Sequence, residues 1–460
     1  MKERLRAALE GLDVDYADIR FDEERKTQIA LNKGRVENIA ASSPRGGHVR
    51  AYVKGARAIA SFSRIEDARR VAEETVEAAR NAAAHTATMT RLAQAPILEA
   101  SFPASSPSDP RAVSLQEKTE LLAHYGGIAD AAPDVVMTQF MYGDSYAHRV
   151  FVDTEGTAVS YEHLISHILG VVVGRRGDAV RKAFFAIGGS SDYGRLLDRE
   201  ELLRQSLSNL DELLSARPAV AGIHPVVVDP FGAGVFIHEA FGHTSEADIT
   251  LHEPVLHERL TLGAEIASPI LNVVDDPTIL DRGGSYPIDD EGVAGRRVNL
   301  ITEGRLTGRL HSRETAAAFG EPITGHCRAS DAGYEPVIRM SNTLIEPGSS
   351  TLQEMIASVD DGYYVAGGAG GQGGVDFTFG ARWGRRIRNG KLGEMVSDAN
   401  LSGNLFTTLK QISMVGDDRQ LFEYFDCGKG SFDGVQMTTR IGAGAPHIKI
   451  DVITVGGVSA

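Results

Sequence analysis

The first 85 residues alternate between apolar and polar positions in a way that predicts strands followed by one helix. Short alternating runs at Ala17–Phe21, Thr27–Leu31 and Val49–Val53 are typical of half-buried strands. Glycine-containing turns separate these runs, so residues 15–62 are predicted to form an antiparallel meander. Residues 65–83 follow with apolar positions on one face and Glu and Arg on the other, which indicates an amphipathic helix.

The next 130 residues repeat this alternation of strands and helices. Residues 86–113 are rich in Ala, Ser, Thr and Pro, and we interpret them as a long surface connection. Ser114 and Glu117 have the spacing of a capping box, so a helix is predicted to begin there, and another is predicted at Glu200–Leu214. The predicted strands between these helices are Val135–Tyr142, Arg149–Asp153, Ala158–Ile165 and Ile168–Val173.

The segment 215–222 contains Pro, Gly and Ala and lacks periodicity, which favours a domain boundary. The apolar strand Pro225–Asp229 follows, then a turn at Pro230–Gly234, and a helix is predicted to begin at Val235. The remainder is glycine-rich and strand-like. We therefore predict an α+β protein with two domains, residues 1–215 and 216–460, each built on largely antiparallel sheets with flanking helices.

Composition and charge exclude several classes of protein. The net charge of −15 argues against nucleic-acid binding, because phosphate contacts need clustered Lys and Arg. No apolar run is long enough for a membrane span, and the first 21 residues lack the pattern of a signal peptide. Two cysteines in 460 residues do not make a disulfide framework, so we expect a cytoplasmic protein without membrane or nucleic-acid partners.

The most informative segment is His238-Glu239-Ala240-Phe241-Gly242-His243. Two histidines on one helix share a metal when their rings converge, and the common zinc pattern spaces them by four residues. Here the spacing is five, which on a straight helix places the rings ~140° apart. Convergence therefore requires a local widening, and a π-type turn at Gly242 would supply it. Without such a turn, the alternative is a helix with two hydrogen-bonded polar histidines.

A catalytic zinc site needs a third protein ligand. Cys427 is the best candidate, because thiolates bind zinc well and the glycines beside it allow close approach. Glu246 and Asp248 are local alternatives. A helix would place Glu239 beside His238 in the same cleft, where it would act as general base.

Two other patterns fail the test of their context. Residues 368–373 match the glycine pattern of dinucleotide-binding loops, but the sequence that follows them is strand-like and does not begin a helix. The pair His326-Cys327 suggests a thiol nucleophile, but no orienting partner is identifiable. Cys327 is therefore interpreted as a buried or free thiol.

Five segments in order resemble the TldD/PmbA family of metallopeptidases, and specifically its TldD-type subunit. The segments are His238–His243, Ile288–Gly292, Gly371–Asp376, Gln411–Gly416 and Cys427–Lys429. The resemblance implies a Zn²⁺ site with His238, His243 and Cys427 as ligands. It also implies a two-subunit assembly that encloses a cavity, in which unfolded peptides bind as an added strand. The assembly is either a homodimer or a heterodimer with a PmbA-type subunit that lacks the metal motif. The sequence departs from the resemblance at Ile323–Arg328, where His326 and Cys327 are unusual.

The leading hypothesis is a zinc metallopeptidase of the HExxxH type. The rival hypothesis is a non-catalytic peptide-binding or scaffold subunit with structural zinc or none. Glu239 discriminates between them, because a structural site needs no base and fills its fourth position with a ligand. The segment Ile288–Gly292 is open to two interpretations. Its carboxylates either bind substrate or orient a histidine ligand of the metal, or the segment is simply an acidic turn. The glycine-rich run 367–374 is likewise either a strand edge for peptides or a flexible loop.

Overall fold

The structure is a computed structural model that describes residues 1–86, 89–372, 375–423, 427–431, 434–438 and 441–457. It shows a mixed fold of helices and largely antiparallel sheets, as predicted. The first sheet lies within residues 16–190, and the second begins at Arg217. The predicted domain division at 215/216 stays a prediction.

The N-terminal half is one eight-stranded sheet with four helices. Its strands are β1 (Tyr16–Asn32), β2 (Arg35–Ser42), β3 (Arg45–Val53), β4 (Ala56–Phe62), β5 (Glu99–Phe102), β6 (Val135–Asp153), β7 (Ala158–Arg176) and β8 (Ala179–Ser190). Its helices are α1 (Lys2–Leu9), α2 (Ala68–Ala83), α3 (Leu115–Asp130) and α4 (Glu200–Leu213). The strand order is β4-β3-β1-β6-β7-β5, with β2 beside β1 and β8 beside β7. Helices α2 and α3 pack apolar faces on this sheet.

The predicted meander, the helix at 65–83 and the capping box of Ser114 and Glu117 are confirmed. The predicted strands are too short, however, because Ala17–Phe21 and Thr27–Leu31 belong to the single strand β1. The charged residues between them, Asp22 and Glu24, interrupt the apolar pattern but are buried. The predicted surface connection at 86–113 contains β5, which pairs in parallel with β7.

The C-terminal half contains shorter elements. Its strands are β9 (Arg217–Pro218), β10 (Gly222–Val228), β11 (Val273–Asp275), β12 (Val298–Thr302), β13 (Arg305–Leu306), β14 (Cys327–Arg328), β15 (Val337–Ile338), β16 (Asn342–Ile345), β17 (Asp361–Gln372), β18 (Asp376–Arg388), β19 (Lys391–Ser397), β20 (Leu401–Asn404), β21 (Ile412–Val415), β22 (Gln420–Phe422), β23 (Cys427–Ser431), β24 (Gly434–Thr438), β25 (Gly442–Ala445) and β26 (Ile448–Val455). Its helices are α5 (Pro230–Ile237), α6 (Ala247–His252), α7 (Pro254–Arg259), α8 (Arg313–Phe319), α9 (Leu352–Ala357) and α10 (Leu405–Thr408).

Two sheets form the core of this half. One has the order β17-β10-β26-β20-β18-β19-β9, and an added pairing of β17 with β18 closes five of its strands into a ring. The other has the order β13-β12-β11-β16-β25-β22. Strand β10 is fully buried at Val226–Val228 and leads directly into α5. Helix α5 lies in this core, where its Phe236 packs against Phe377 and Phe379 of β18.

Buried ion pairs join the two halves. Arg149 on β6 donates to Asp290 at 2.8 Å, and Arg50 on β3 donates to Glu291 at 2.9 Å. Arg20 on β1 also pairs with Asp290, at 3.2 Å, and all these side chains are almost inaccessible to solvent. A charged layer, rather than an apolar one, therefore holds the N-terminal sheet against the acidic turn 289–291.

Within the described residues, every helix is too short or too polar to cross a membrane.

Candidate metal centre

Helix α5 begins earlier than the sequence suggests. We predicted a turn at Pro230–Gly234, but the helix starts at Pro230, with Asp229 as its N-cap. The Asp229 carboxylate accepts hydrogen bonds from the backbone N–H of Gly232 at 2.8 Å and of Gly367 at 2.9 Å. Proline is favoured at the first helical position, because its missing N–H has no partner there in any case. The cap therefore fixes both the start of α5 and its attachment to β17.

A π-turn at His238–Gly242 continues α5 without a break, and a 3-10 turn at His243–Ser245 follows it. The predicted widening of the helix is thus confirmed. The π-turn brings the rings of His238 and His243 to 5.2 Å between centroids, at 76° to each other. A side chain at Gly242 would collide with the Sδ atom of Met340, so glycine is required for the close packing of this turn. Five-residue spacing therefore places two imidazoles on one side of the helix.

Cys427 reaches the two histidines from the hairpin β23–β24. Its Sγ lies 3.5 Å from Nε2 of His243, and the donor atoms of His238, His243 and Cys427 all lie within 4.8 Å of one another. Buried Arg339 donates to the carbonyl oxygens of Cys427 at 2.6 Å and of Gln436 at 3.1 Å. Arg339 thereby ties both strands of the hairpin to the body of the domain and positions the cysteine.

The two local alternatives for a third ligand occupy a different place. Glu246 is fully buried, and its Oε2 lies 3.3 Å from Nδ1 of His243 and 2.9 Å from Nζ of Lys429. Asp248 pairs with the same Lys429, at 2.8 Å. Glu246 thus contacts the ring nitrogen of His243 that faces away from Cys427. Carboxylates in this position fix the tautomer and orientation of metal-binding histidines.

The electrostatics of the pocket favour a thiolate. Burial alone would raise the pKa of Cys427, but hydrogen bonds from His238 and His243 outweigh it and lower that pKa to about 5. Burial would lower the pKa of His243, yet the charge of Glu246 and the contact with Cys427 raise it to about 10. The pKa of Glu246 falls to about 2 despite its burial, because Lys429 and His243 stabilise its charge. A metal bound here would displace the proton of His243.

Glu239 lies inside the π-turn, next to His238, and is half-buried. Within the described part of the chain, its carboxylate has no hydrogen-bond or ion-pair partner. It therefore differs from Glu246, whose Oε2 contacts both Lys429 and His243. A carboxylate that is partly exposed and uncommitted is free to accept a proton.

The donor set suits a transition metal. Imidazole nitrogen and thiolate sulfur are both zinc ligands, and a site with three protein ligands leaves a position for water or substrate. The second contact of His243, to Glu246, supplies the outer hydrogen bond that such ligands usually have. Among the described residues the cluster has three donors, which fits an open zinc site; a closed structural site would have a protein side chain as fourth ligand.

The structure separates the remaining candidates from this centre. Cys327 is buried on β14, where burial and nearby carboxylates hold the pKa of its thiol well above the usual value, which argues against a nucleophile. His326 lies 3.0 Å from Asp275 and 2.9 Å from the carbonyl of Thr324. The carboxylates of the acidic turn face backbone N–H groups and the N-terminal arginines. Gly373 and Gly374 of the glycine-rich run lie outside the described residues; the rest of the run continues β17.

Sequence reasoning missed the supporting residues Arg339, Lys429 and the role of Glu246. Lys429 stands two positions after Cys427 in one of the segments quoted for the family resemblance, so that segment already contained it. Arg339 carried no signal, since it lies 88 residues from the cysteine that it holds.

Three family models match the chain in order. The PmbA/TldA metallopeptidase domain 1 matches residues 17–83, the central domain matches residues 108–216, and the C-terminal domain matches residues 221–457. The last of these covers the π-turn and the cysteine hairpin. Together the three account for most of the chain.

Curated proteins and a solved structure are similar over most of the chain. Metalloprotease slr0863 of Synechocystis is 33% identical over 448 residues, which cover 97% of this chain and 96% of that protein. The zinc metalloprotease TldD homolog of Saccharolobus solfataricus is 31% identical over 334 residues, 71% of this chain and 72% of that protein. The crystal structure of TldE from Thermococcus kodakarensis has the same fold, with a TM-score of 0.74 at 18% identity, covering 99% of this chain and 98% of that one.

Proposed function

Because the chain belongs to the PmbA/TldD family of metallopeptidases, we propose that it is a zinc-dependent peptidase of the HExxxH type. His238, His243 and Cys427 hold the metal in this proposal. Glu239 is the general base, and the substrates are unfolded peptides. The alternative of a non-catalytic scaffold is disfavoured by the uncommitted carboxylate of Glu239, which a structural zinc site does not need.

The observation that carries the proposal is the convergence of three donors from distant parts of the chain. The histidines stand five residues apart on a π-turn, and the thiol comes from a hairpin 184 residues later, yet all three donor atoms lie within 4.8 Å. A π-turn costs backbone hydrogen bonding and is found mostly at functional sites. The name of the Saccharolobus relative, a zinc metalloprotease, supports zinc as the metal.

The proposed chemistry is hydrolysis of a peptide bond. Zinc bound by the three donors supplies Lewis acidity to the peptide carbonyl and to the attacking water. The Glu239 carboxylate takes the proton from that water and delivers it to the nitrogen of the leaving amine. Glu246, held by Lys429, keeps His243 oriented throughout. Met340 and the apolar residues around α5 exclude bulk water from the far side of the π-turn.

We also propose that the peptide binds as an added strand and that the working unit is a dimer, either with itself or with a PmbA-type subunit. The backbone of β17 supports the first point, because β10 pairs only with Tyr363–Val365, so among the described residues the later part of β17 pairs with β18 alone. Exposed Val36 and Ile39 on the edge strand β2 support an additional contact in an assembly.

The Glu239→Gln variant tests the proposal. The amide is nearly isosteric and leaves all three donors intact, so zinc content should remain unchanged. Hydrolysis of an unfolded peptide should fall by roughly 10²–10⁴-fold, the usual contribution of a positioned proton acceptor. Zinc is measured by elemental analysis and cleavage by mass spectrometry on the same preparation, with any co-purifying subunit retained.

Glu258→Gln is the matched control, since this exposed carboxylate on α7 lies outside the π-turn. It should keep both zinc and activity. Cleavage by Glu239→Gln at the wild-type rate would show that Glu239 is not the base.

A further inference from the structure

A cavity of about 340 Å³ lies between the two halves of the chain. One wall comes from β8 and α4, and the other from the start of α5, from β17 and β18, and from Phe422. None of the three proposed metal ligands lines it. The cavity is therefore separate from the proposed metal centre.

Arg382 on β18 is the central charged group of this cavity. Its guanidinium carbon lies 4.9 Å from the ring centre of Phe184 and 4.6 Å from that of Phe231, so the two rings flank the cation. Its Nε donates to the carbonyl of Gly368 at 3.1 Å. Gly367 has a positive φ of +69°, and a Cβ there would lie 2.7 Å from Cδ of Arg382. The arginine is thus built into the wall by contacts on several sides.

Within the described residues, no ion pair neutralises the positive charge of Arg382. In the part of the chain that the structure describes, no carboxylate comes within 4 Å of its guanidinium, and its Nη groups make no hydrogen bond. Among the described lining residues Asp229 is the one acid, and its Oδ1 accepts hydrogen bonds from the backbone N–H groups of Gly232 and Gly367. Burial accordingly lowers the pKa of Arg382 to about 10, with the field of Asp229 opposing.

The rest of the lining defines the kind of anion that fits. Phe184, Phe231, Trp383 and Phe422 present aromatic surface, while Lys182 adds a second positive charge and Gln205 and Asn209 add amides. A guanidinium binds a carboxylate through two parallel hydrogen bonds, and the aromatic walls accept an apolar group beside it. We propose that this cavity binds the C-terminal carboxylate of a peptide whose last side chain is apolar.

The choice of a peptide rests on the proposed function and on the position of the cavity along α5. Phe231 lines the cavity and His238 stands seven residues later, close to two full turns, so both lie on one face of the helix. The rise between them is ~10 Å. An extended chain of about three residues covers that distance. The rise from the cavity residue on α5 to the first proposed ligand is therefore within the length of a short peptide.

The test compares two forms of one short peptide that ends in phenylalanine, as the free acid and as the C-terminal amide. Its internal bonds are N-methylated to prevent cleavage, and binding to the full-length protein is measured by calorimetry. The wild-type protein should bind the acid roughly 10- to 100-fold more tightly, the usual strength of charge-assisted hydrogen bonds. Arg382→Gln should abolish this preference. Arg388→Gln, an exposed arginine on the same strand, is the matched control and should keep it.

Arg382→Lys serves as a second variant if the glutamine variant does not fold, and it should lose most of the preference because an ammonium cannot pair in the same forked geometry. An equal affinity of wild type for acid and amide, or an undiminished preference in both variants, would overturn the inference. Acetate binding as tightly as the acid peptide would also overturn it, since that would mark a simple anion site. The assay measures binding alone, so an acid preference in a protein without peptidase activity leaves this site standing and removes only the proposed function.

Discussion

Cys427 and Cys327 are both buried thiols, but their neighbours give them opposite properties. Two imidazoles and Arg339 surround Cys427 and lower its pKa to about 5. Burial near Glu291 and Asp289 raises the pKa of Cys327 well above its usual value. A thiolate is the form that binds metals, so only the first cysteine is prepared for that role.

Removal of Cys427 should therefore remove the metal. We expect about one zinc per wild-type chain, and near-complete loss in Cys427→Ala and in His238→Ala, because two donors do not make a stable site. Elemental analysis of the purified variants measures this directly. Cys327→Ser is the control and should keep both zinc and peptidase activity. Full zinc in Cys427→Ala would transfer the third-ligand role to Glu246 or Asp248.

Glu246 acts through His243 in our interpretation, so its removal should weaken the metal site without deleting a donor. Glu246→Gln is expected to lower zinc affinity by roughly 10- to 100-fold, as is usual when an outer hydrogen bond to a ligand is changed. Competition with a chromophoric chelator gives the affinity. Glu265→Gln, in an exposed ion pair with Arg305, should leave the affinity unchanged. Unchanged zinc affinity in Glu246→Gln would show that the Glu246 carboxylate does not orient His243 for the metal.

At the scale of residues, the sequence predicted groups that are close along the chain better than groups that are far apart. His238, Glu239 and His243 lie within six positions. The five-residue spacing of the histidines therefore indicated from sequence alone that their rings converge only on a π-turn. Arg339 and Lys429 support the site from other segments. No periodicity connects such residues, because their proximity is a product of the tertiary fold.

At the scale of elements, the π-turn depends on the absence of a side chain at Gly242. We expect Gly242→Ala to destabilise the protein by about 1–3 kcal/mol, the usual cost of overpacking, because the new methyl group would meet buried Met340. The variant should also bind zinc more weakly. Denaturant unfolding and zinc titration measure the two effects.

A double-mutant cycle with Met340→Ala makes this prediction specific. If the collision is the cause, Gly242→Ala should cost less in the Met340→Ala background than in wild type. If Gly242→Ala lowers the free energy of unfolding equally in both backgrounds, the destabilisation comes from the backbone and not from the collision with Met340.

The strands were predicted less accurately than the helices, and buried charge is the physical reason. An amphipathic helix such as α2 shows its apolar face in sequence. Strand β1 instead carries Arg20, Asp22 and Glu24 on a surface that the C-terminal half covers. In sequence, these charged residues suggest a solvent-exposed turn between two short strands, because their partners are not known. Only the folded molecule shows that they pair with other buried charges.

At the scale of the whole molecule, the charged layer between the halves should make them unfold together. Asp290→Asn leaves Arg149 and Arg20 buried without their shared carboxylate. We expect a loss of at most about 3–5 kcal/mol in the free energy of unfolding, the usual cost of breaking a buried ion pair, because both arginines keep their contact with buried Asp22. Glu74→Gln, in an exposed pair with Arg70, should cost less than ~1 kcal/mol. Two separate unfolding transitions in wild type would contradict this coupling.

Strand β10, which leads into the helix of the proposed metal centre, pairs with β17 and with β26, the last strand of the chain. His243 and Cys427 are 184 positions apart. At ribosomal speeds of about 5–20 residues per second, roughly 10–40 s pass between synthesis of the histidine and synthesis of the cysteine. A newborn chain is itself an unfolded polypeptide, the kind of substrate proposed for this enzyme. On the proposed function, the ligand set is therefore incomplete until Cys427 has been made, and a chain that stops short of this residue should lack peptidase activity.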